Sequence, residues 1–233
     1  MFTIYKKELK HYFYNPFGYI LVILATLIVN ALFIRDIYLV GLVSMKPFFQ
    51  TMYWVLALLV PALCMRSFAE ERKVGTLETM LTLPVGEREI ALGKLLADLS
   101  LIGATFVLSL VLPVTFALIS GLYLPEVFVG YLGLVLVSGM FTTLSLYISL
   151  KTSNQVLAFF ISAVILFCLS VFSTDVLASF IPRAISDLIA PLTPLANLEN
   201  FMKGIIDLRS VFYFSSFTGV FIYAVIKQLQ HRD

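Results

Sequence analysis

The sequence predicts an all-α integral membrane protein: six transmembrane helices, an N-terminal interfacial amphipathic helix and a short cytoplasmic docking helix. Three observations carry that prediction. Hydrophobic residues fill 60% of the 233 positions and charged residues 13%, against roughly 45–50% and 25% in soluble domains. The apolar residues gather in six long runs, and about 20 apolar residues carry a helix across a bilayer. Ten charged side chains crowd into one stretch between two of those runs, RSFAEERKVGTLETMLTLPVGEREIALGKL at 66–95.

Residues 2–14 read as the amphipathic helix, in a segment spanning 1–16. Phe2, Tyr5, Leu9, Tyr12 and Phe13 recur at helical spacing, and Lys6, Lys7, Glu8, Lys10 and His11 fill the other face. Aromatics opposite a basic face suit the interface plane of a membrane. Asn15-Pro16 ends the helix, because the residue before proline is pushed out of helical geometry.

The membrane domain, 17–233, holds apolar runs at 17–34, 48–65, 99–122, 127–150, 156–172 and 211–226. In hydrocarbon each backbone group must be paired within its own segment, so these runs are helices. The last is short and must borrow from Leu208 or Lys227. No A-x-A cleavage pattern follows the first run, so it stays as a span. With six spans both termini share one side. That side collects eleven of the sixteen Lys and Arg residues, which puts the termini and the 66–95 loop in the cytoplasm.

Between the fifth and sixth runs lies a broken external loop, 173–210, cut by Pro182, Pro191 and Pro194. Two short pieces in it, 180–189 and 198–206, keep helical spacing. Such pieces suit half-inserted or surface-lying helices as well as an ordinary external cap.

Inside the charged loop, Ser67 and Glu70 stand at capping-box spacing, so a helix is expected to restart there. Gly75 breaks it. Leu77, Met80 and Leu81 then share a face, with Glu78 and Thr79 opposite. Pro84-Val85-Gly86 stops this piece, and 87–96 restarts a helix with acids in its first turn. A two-turn helix does not stand alone in water. Leu77, Met80, Leu81 and Leu83 need cover from the membrane, the rest of the chain or a second protein.

Composition also excludes classes. A net charge of +2 without a basic cluster among aromatics gives no nucleic-acid partner. Cys64 and Cys168 fall in apolar runs and read as small core residues, with no disulfide framework or zinc spacing. His11 and His231 lie outside the spans, and no acidic or nucleophilic constellation sits at membrane depth, so the chain is not read as an enzyme. Ser138, Thr142, Thr143, Ser145, Ser149, Ser162 and Ser170 read first as helix–helix packing residues. With the third span placed at 99, no Asp, Glu, Lys or Arg falls well inside a run, which speaks against an ion-coupled carrier.

The run 69–94, AEERKVGTLETMLTLPVGEREIALGK, resembles the signature cytoplasmic loop of ABC-2-type transporter permeases: a Glu-rich lead-in, Gly-Thr-Leu-Glu, Leu-x-x-Pro-Val, then a helix ending in Gly-Lys. Glu199-Asn200-Phe201, then 204–209 and Tyr213, resemble the gliding-motility and copper-reductase-maturation branch. The resemblance implies that 76–83 is a coupling helix bordered by Gly75 and Pro84, seated on an ATPase subunit. Glu70, Glu71, Arg72, Gly75, Thr76, Leu77, Glu78, Met80, Leu81, Leu83 and Pro84 are then its ATPase-partner interface.

This chain has no phosphate-binding loop, since Gly93-Lys94 lacks the rest of the motif. ATP and magnesium would therefore be bound by the partner ATPase, with no cofactor in this chain. The implied function is the transmembrane permease subunit of an ATP-binding-cassette transporter in the bacterial inner membrane. It would pair with a second copy or a sibling permease, with periplasmic or membrane accessory subunits as further partners. The work would be export or mechanical signalling. The alternative is a non-transporting membrane anchor that recruits a cytoplasmic protein.

Overall fold

The structure, a computed structural model, describes residues 1–14, 16–40, 44–81, 85–120, 124–172 and 190–230. Among them all regular structure is helical. Helix α1 covers Phe2–Tyr14, α2 Pro16–Val40 and α3 Lys46–Cys64. The charged loop forms α4, Ala69–Val74, and α5, Thr76–Leu81. Then come α6, Glu87–Ser109, α7, Val111–Ser120, α8, Leu124–Lys151, and α9, Gln155–Val171. After a 3-10 turn at Ala190–Leu192, α10 spans Pro194–Met202 and α11 spans Leu208–Gln230.

Among the described residues, five helical stretches are long and apolar enough to cross a membrane: Pro16–Arg35, Lys46–Val74, Glu87–Phe116, Pro125–Lys151 and Leu208–Gln230. The fifth of the six expected spans is the shorter apolar helix α9, 17 residues long, or about 26 Å at 1.5 Å per residue. The last span does extend at both ends, so residues 208–210 belong to α11 and not to the external loop.

The third run does not begin at 99. A single helix rises from Glu87 through the charged residues and into the apolar stretch, as far as Ser109. A break follows at Leu110. Pro113 has no N–H for the Ser109 carbonyl and its ring crowds the preceding turn. The Leu110 N–H keeps its bond to Phe106 and shares it with Val107, a tightened turn after which α7 carries on.

At the centre α3 lies against α2, α8 and α9, while α8 also meets α6, α10 and α11. Edge-on aromatic contacts hold this core: Phe33 on Phe48 at 5.2 Å, Phe49 on Tyr131 at 5.6 Å and Tyr53 on Phe141 at 5.5 Å. Two glycines bring neighbours onto the α8 backbone. Phe49 rests its ring on Gly130, and a Cβ at Gly133 would stand 2.6 Å from that of Phe201. That second contact seats α10 in the bundle, with Leu198 and Phe201 fully buried.

The piece expected at 198–206 is therefore the helix Pro194–Met202, closed by Gly204 at φ +78. It is a packed part of the core. The piece expected at 180–189 lies outside the described residues. Cys64 is buried as expected, whereas Cys168 is exposed on the outer side of α9.

The buried hydroxyls turn mostly on their own helices. Ser138, Thr142, Thr143, Ser162 and Ser170 donate to carbonyls three or four residues back, at 2.6–3.0 Å. They complete helix packing.

Candidate coupling site at the charged end

Helix α4 is fastened to the body from three sides. Its first N–H groups lie beyond the reach of intrahelical bonds. Ser149 of α8 supplies the acceptor, taking hydrogen bonds from Phe68 N at 3.3 Å and Ala69 N at 3.1 Å. In return Arg72 donates from Nη1 to the Leu150 carbonyl at 2.8 Å, one of the last carbonyls of α8. The expected capping role of Ser67 is not used. Phe68 occupies the cap position without a side-chain bond, because the Ser67 hydroxyl donates to Asp98 at 3.1 Å.

The third fastening is a buried ion cluster. Lys94 of α6 is 1% exposed. Its ammonium donates to Glu8 Oε1 at 3.1 Å and to the Ser67 carbonyl at 2.6 Å, and it is ion-paired with Glu71 Oε1 at 3.0 Å. Lys7, on the rim, lies 3.7 Å from Glu8 and 3.6 Å from Glu71. Two cations thus balance two carboxylates. A desolvated charge is tolerated when it is paired and hydrogen-bonded in this way.

One turn along α6 sits Asp98, also buried. Its Oδ1 accepts from the Tyr12 hydroxyl at 2.7 Å, and its Oδ2 accepts from Ser67 and from the Cys64 thiol at 3.4 Å. Burial pushes the Tyr12 hydroxyl well above the ordinary tyrosine range, and the Asp98 charge adds to this. Tyr12 stays protonated as a donor.

Together these contacts set α1 in register with α6. Glu8 and Tyr12 stand four apart, as do Lys94 and Asp98, so the two pairs meet turn for turn in parallel helices. Gly93 allows the approach, since a Cβ there would stand 2.9 Å from Ile4 Cγ2. The inward face of α1 is therefore Ile4, Glu8 and Tyr12. This departs from the expected division into an aromatic and a charged face, because Lys94 makes Glu8 an inward residue. Phe2 (73% exposed) and Phe13 (64%) remain on the outside.

Beyond α4 the chain turns at Gly75, whose φ of +76 is a left-handed conformation that glycine adopts without strain. Helix α5 follows at once. Its Thr76, Glu78 and Thr79 are exposed, Leu77 is partly buried, and Met80 is buried in the core of the same chain. Some of the cover that this apolar face needs thus comes from the chain itself. Glu70 is partly buried beside it. The side chain of Leu81, and residues Leu83 and Pro84, lie outside the described residues.

The family model for the ABC-2 family transporter protein matches residues 36–226. The chain belongs to the ABC-2 family of transporter proteins. No curated protein matches it. As a permease of that family it is a multi-pass membrane subunit of a kind that is generally non-catalytic, and its family implies an ABC ATPase as partner.

Of the expected interface residues, the structure gathers Glu70, Glu71, Arg72, Thr76, Leu77, Glu78 and Met80 in α4 and α5, with Gly75 at the turn between them. Glu71 and Arg72 are bonded within the permease. Asp98 was not foreseen; Tyr12 was expected on the aromatic face of the first helix, Glu8 on its charged face, and Lys94 as the end of the Gly-Lys helix of the charged loop. Their shared four-residue spacing was the available signal.

Proposed function

We propose that a separate ATPase subunit docks on the α4–α5 loop of this permease and moves α1, α6 and α8 through it. The observation that carries the reading is the fastening of α4. A push on that helix reaches α8 through Ser149 and Arg72, and reaches α6 and α1 through Glu71, Lys94 and Glu8. The surface offered to the partner is Val74, Gly75, Thr76 and Glu78, all exposed. ATP with magnesium is bound on the ATPase. Its closure favours one arrangement of the spans over another by differential contacts.

In this reading both termini and the loop face the cytoplasm of a bacterial inner membrane, following the Lys and Arg distribution. Two permeases, identical or sibling, pair around two ATPases. The stretch 199–213 favours the gliding-motility and copper-reductase-maturation branch. The spans offer hydroxyls bonded to their own backbones, so lipid-like cargo or mechanical work on a periplasmic partner suits them better than a hydrophilic solute.

The test is co-purification in detergent with the ATPase encoded beside this chain, using intact protein, a scrambled 76–83 segment and Glu78→Lys. Loss of the complex on scrambling, with weakening in Glu78→Lys, supports docking at the loop. Survival of the scrambled complex moves docking elsewhere. No complex with intact protein favours the anchor reading.

A further inference from the structure

A cleft of about 300 Å³ opens between α1 and α4, lined among others by Lys7, His11, Arg66, Glu70 and Glu71. Two buried polar atoms in these side chains find no hydrogen-bond partner among the described residues: Arg66 Nε, a donor, and Glu71 Oε2, an acceptor. Buried groups of this kind are rarely left unmatched. Here the orphans are complementary, and the side chains that carry them line one cleft.

We propose that this cleft binds the headgroup of a zwitterionic membrane lipid, a phosphoethanolamine, with the phosphate on Arg66 and the ammonium on Glu71. Charge selects the class. Lys94 and Lys7 occupy Oε1 of both Glu8 and Glu71, which leaves Glu71 Oε2 over. A purely anionic ligand on Arg66, Lys7 and His11 would face the carboxylates of Glu70 and Glu71. A purely cationic one would face the guanidinium. A phosphate tethered to an ammonium satisfies both, with charge-assisted bonds at each end.

Location selects a lipid over a segment of a partner protein. Arg66 stands just past the Met65 cap of α3, where that apolar helix ends, and its guanidinium rests 4.1 Å from the ring of Phe17, the second residue of α2. Two spans therefore leave the apolar layer at this end of the cleft. From there the outer face of α2 runs on through Tyr19, Ile20, Ile23 and Leu24, all exposed. They form an apolar wall for acyl chains next to the polar cleft.

The inference takes from the proposed function only that the chain is embedded in a membrane. It is tested on the full chain without an ATPase subunit, so the two readings fail separately. The permease is reconstituted in vesicles of equal parts dioleoyl phosphatidylethanolamine, phosphatidylglycerol and phosphatidylcholine, extracted, and weighed by native mass spectrometry.

Phosphatidylethanolamine is expected to be retained about tenfold over phosphatidylcholine, whose quaternary ammonium has no N–H for Glu71, a ratio equal to one charge-assisted hydrogen bond. It should exceed phosphatidylglycerol similarly. Arg66→Gln lowers retention of the bound lipid, Arg66→Lys restores part of it, and Glu71→Gln narrows the preference over phosphatidylglycerol. Soluble glycerophosphoethanolamine leaves the lipid in place.

Equal retention of the three lipids, or none, overturns the proposal and leaves the cleft to water. Displacement by the soluble ester overturns the lipid as its source. Loss of ATPase co-purification in Arg66→Gln with lipid retention unchanged assigns the cleft to the protein partner.

Discussion

Arg72 of the loop donates to the main-chain carbonyl of Leu150 at 2.8 Å, while the hydroxyl of Ser149 accepts from the start of the Arg72 helix. Each helix end supplies what the other lacks: donors at the C-terminus of α8, an acceptor at the N-terminus of α4. Ser149→Ala should remove the acceptor and leave two N–H groups without it, at about 1–2 kcal/mol for this turn. Hydrogen exchange at 68–74 is expected to quicken while α11 keeps its protection. Unchanged exchange at 68–74 would mean that the serine does not cap the helix.

Lys94→Met should be the most damaging single change at the charged end. It leaves two carboxylates facing each other without their central cation, and breaking a buried pair costs about 3–5 kcal/mol. The thermal midpoint in detergent is expected to fall. Adding Glu8→Gln and Glu71→Gln to the same chain should recover much of the loss. A single variant as stable as the parent would show that the cluster is already solvated.

Gly93→Ala is expected to loosen α1. The added methyl meets Ile4 at 2.9 Å and the Tyr5 amide nitrogen at 3.3 Å. Ile4→Ala in the same chain should restore much of the seat. Gly103 belongs to the same helix and has open space where its Cβ would stand, so Gly103→Ala serves as the comparison. Proteolysis within 1–14 should rise for the first variant only.

Gly75→Ala tests the turn without steric interference, since nothing stands within 4 Å of its missing Cβ. The positive φ alone should cost about 1–2 kcal/mol. Gly75→Asn should cost less, because asparagine tolerates this conformation better. Gly86, at φ −68, should accept alanine with little change. Chemical unfolding of the three variants gives the comparison, and equal costs at Gly75 and Gly86 would discount the role of the turn.

What could be read beforehand followed from effects that act over many residues or strictly locally. Burying 18 or more apolar side chains is a signal that averages well, so the long runs stood out. Gly75 and Pro84 punctuate by their own backbone chemistry. The site was harder. Hydropathy counts Lys94 and Asp98 as charge and leaves them outside the apolar runs, whereas partners far along the chain bury both.

Ser67 illustrates the competition. Its local pattern asks for a cap, but the Asp98 carboxylate is a stronger acceptor of its proton, and Ser149, 80 residues beyond Ala69, does the capping. Glu8 likewise looks like one more charge on a polar face until its cation is known. A pair of four-residue spacings, Glu8 with Tyr12 and Lys94 with Asp98, was present in the sequence, but only the register of α1 on α6 gives it meaning.

The separation of Glu8 from Lys94, 86 positions, has a consequence for the order of events during synthesis. At about 5–20 residues per second, the ribosome makes Glu8 roughly 4–17 seconds before the lysine that neutralises it. Until then α1 has no seat on α6 and must wait at the membrane surface, where its outward Phe2 and Phe13 can hold it. A nascent chain arrested before Lys94 should leave this helix open to protease, and one arrested well beyond Asp98 should protect it. Helix α1 is made well before its seat and is secured only once α6 has emerged.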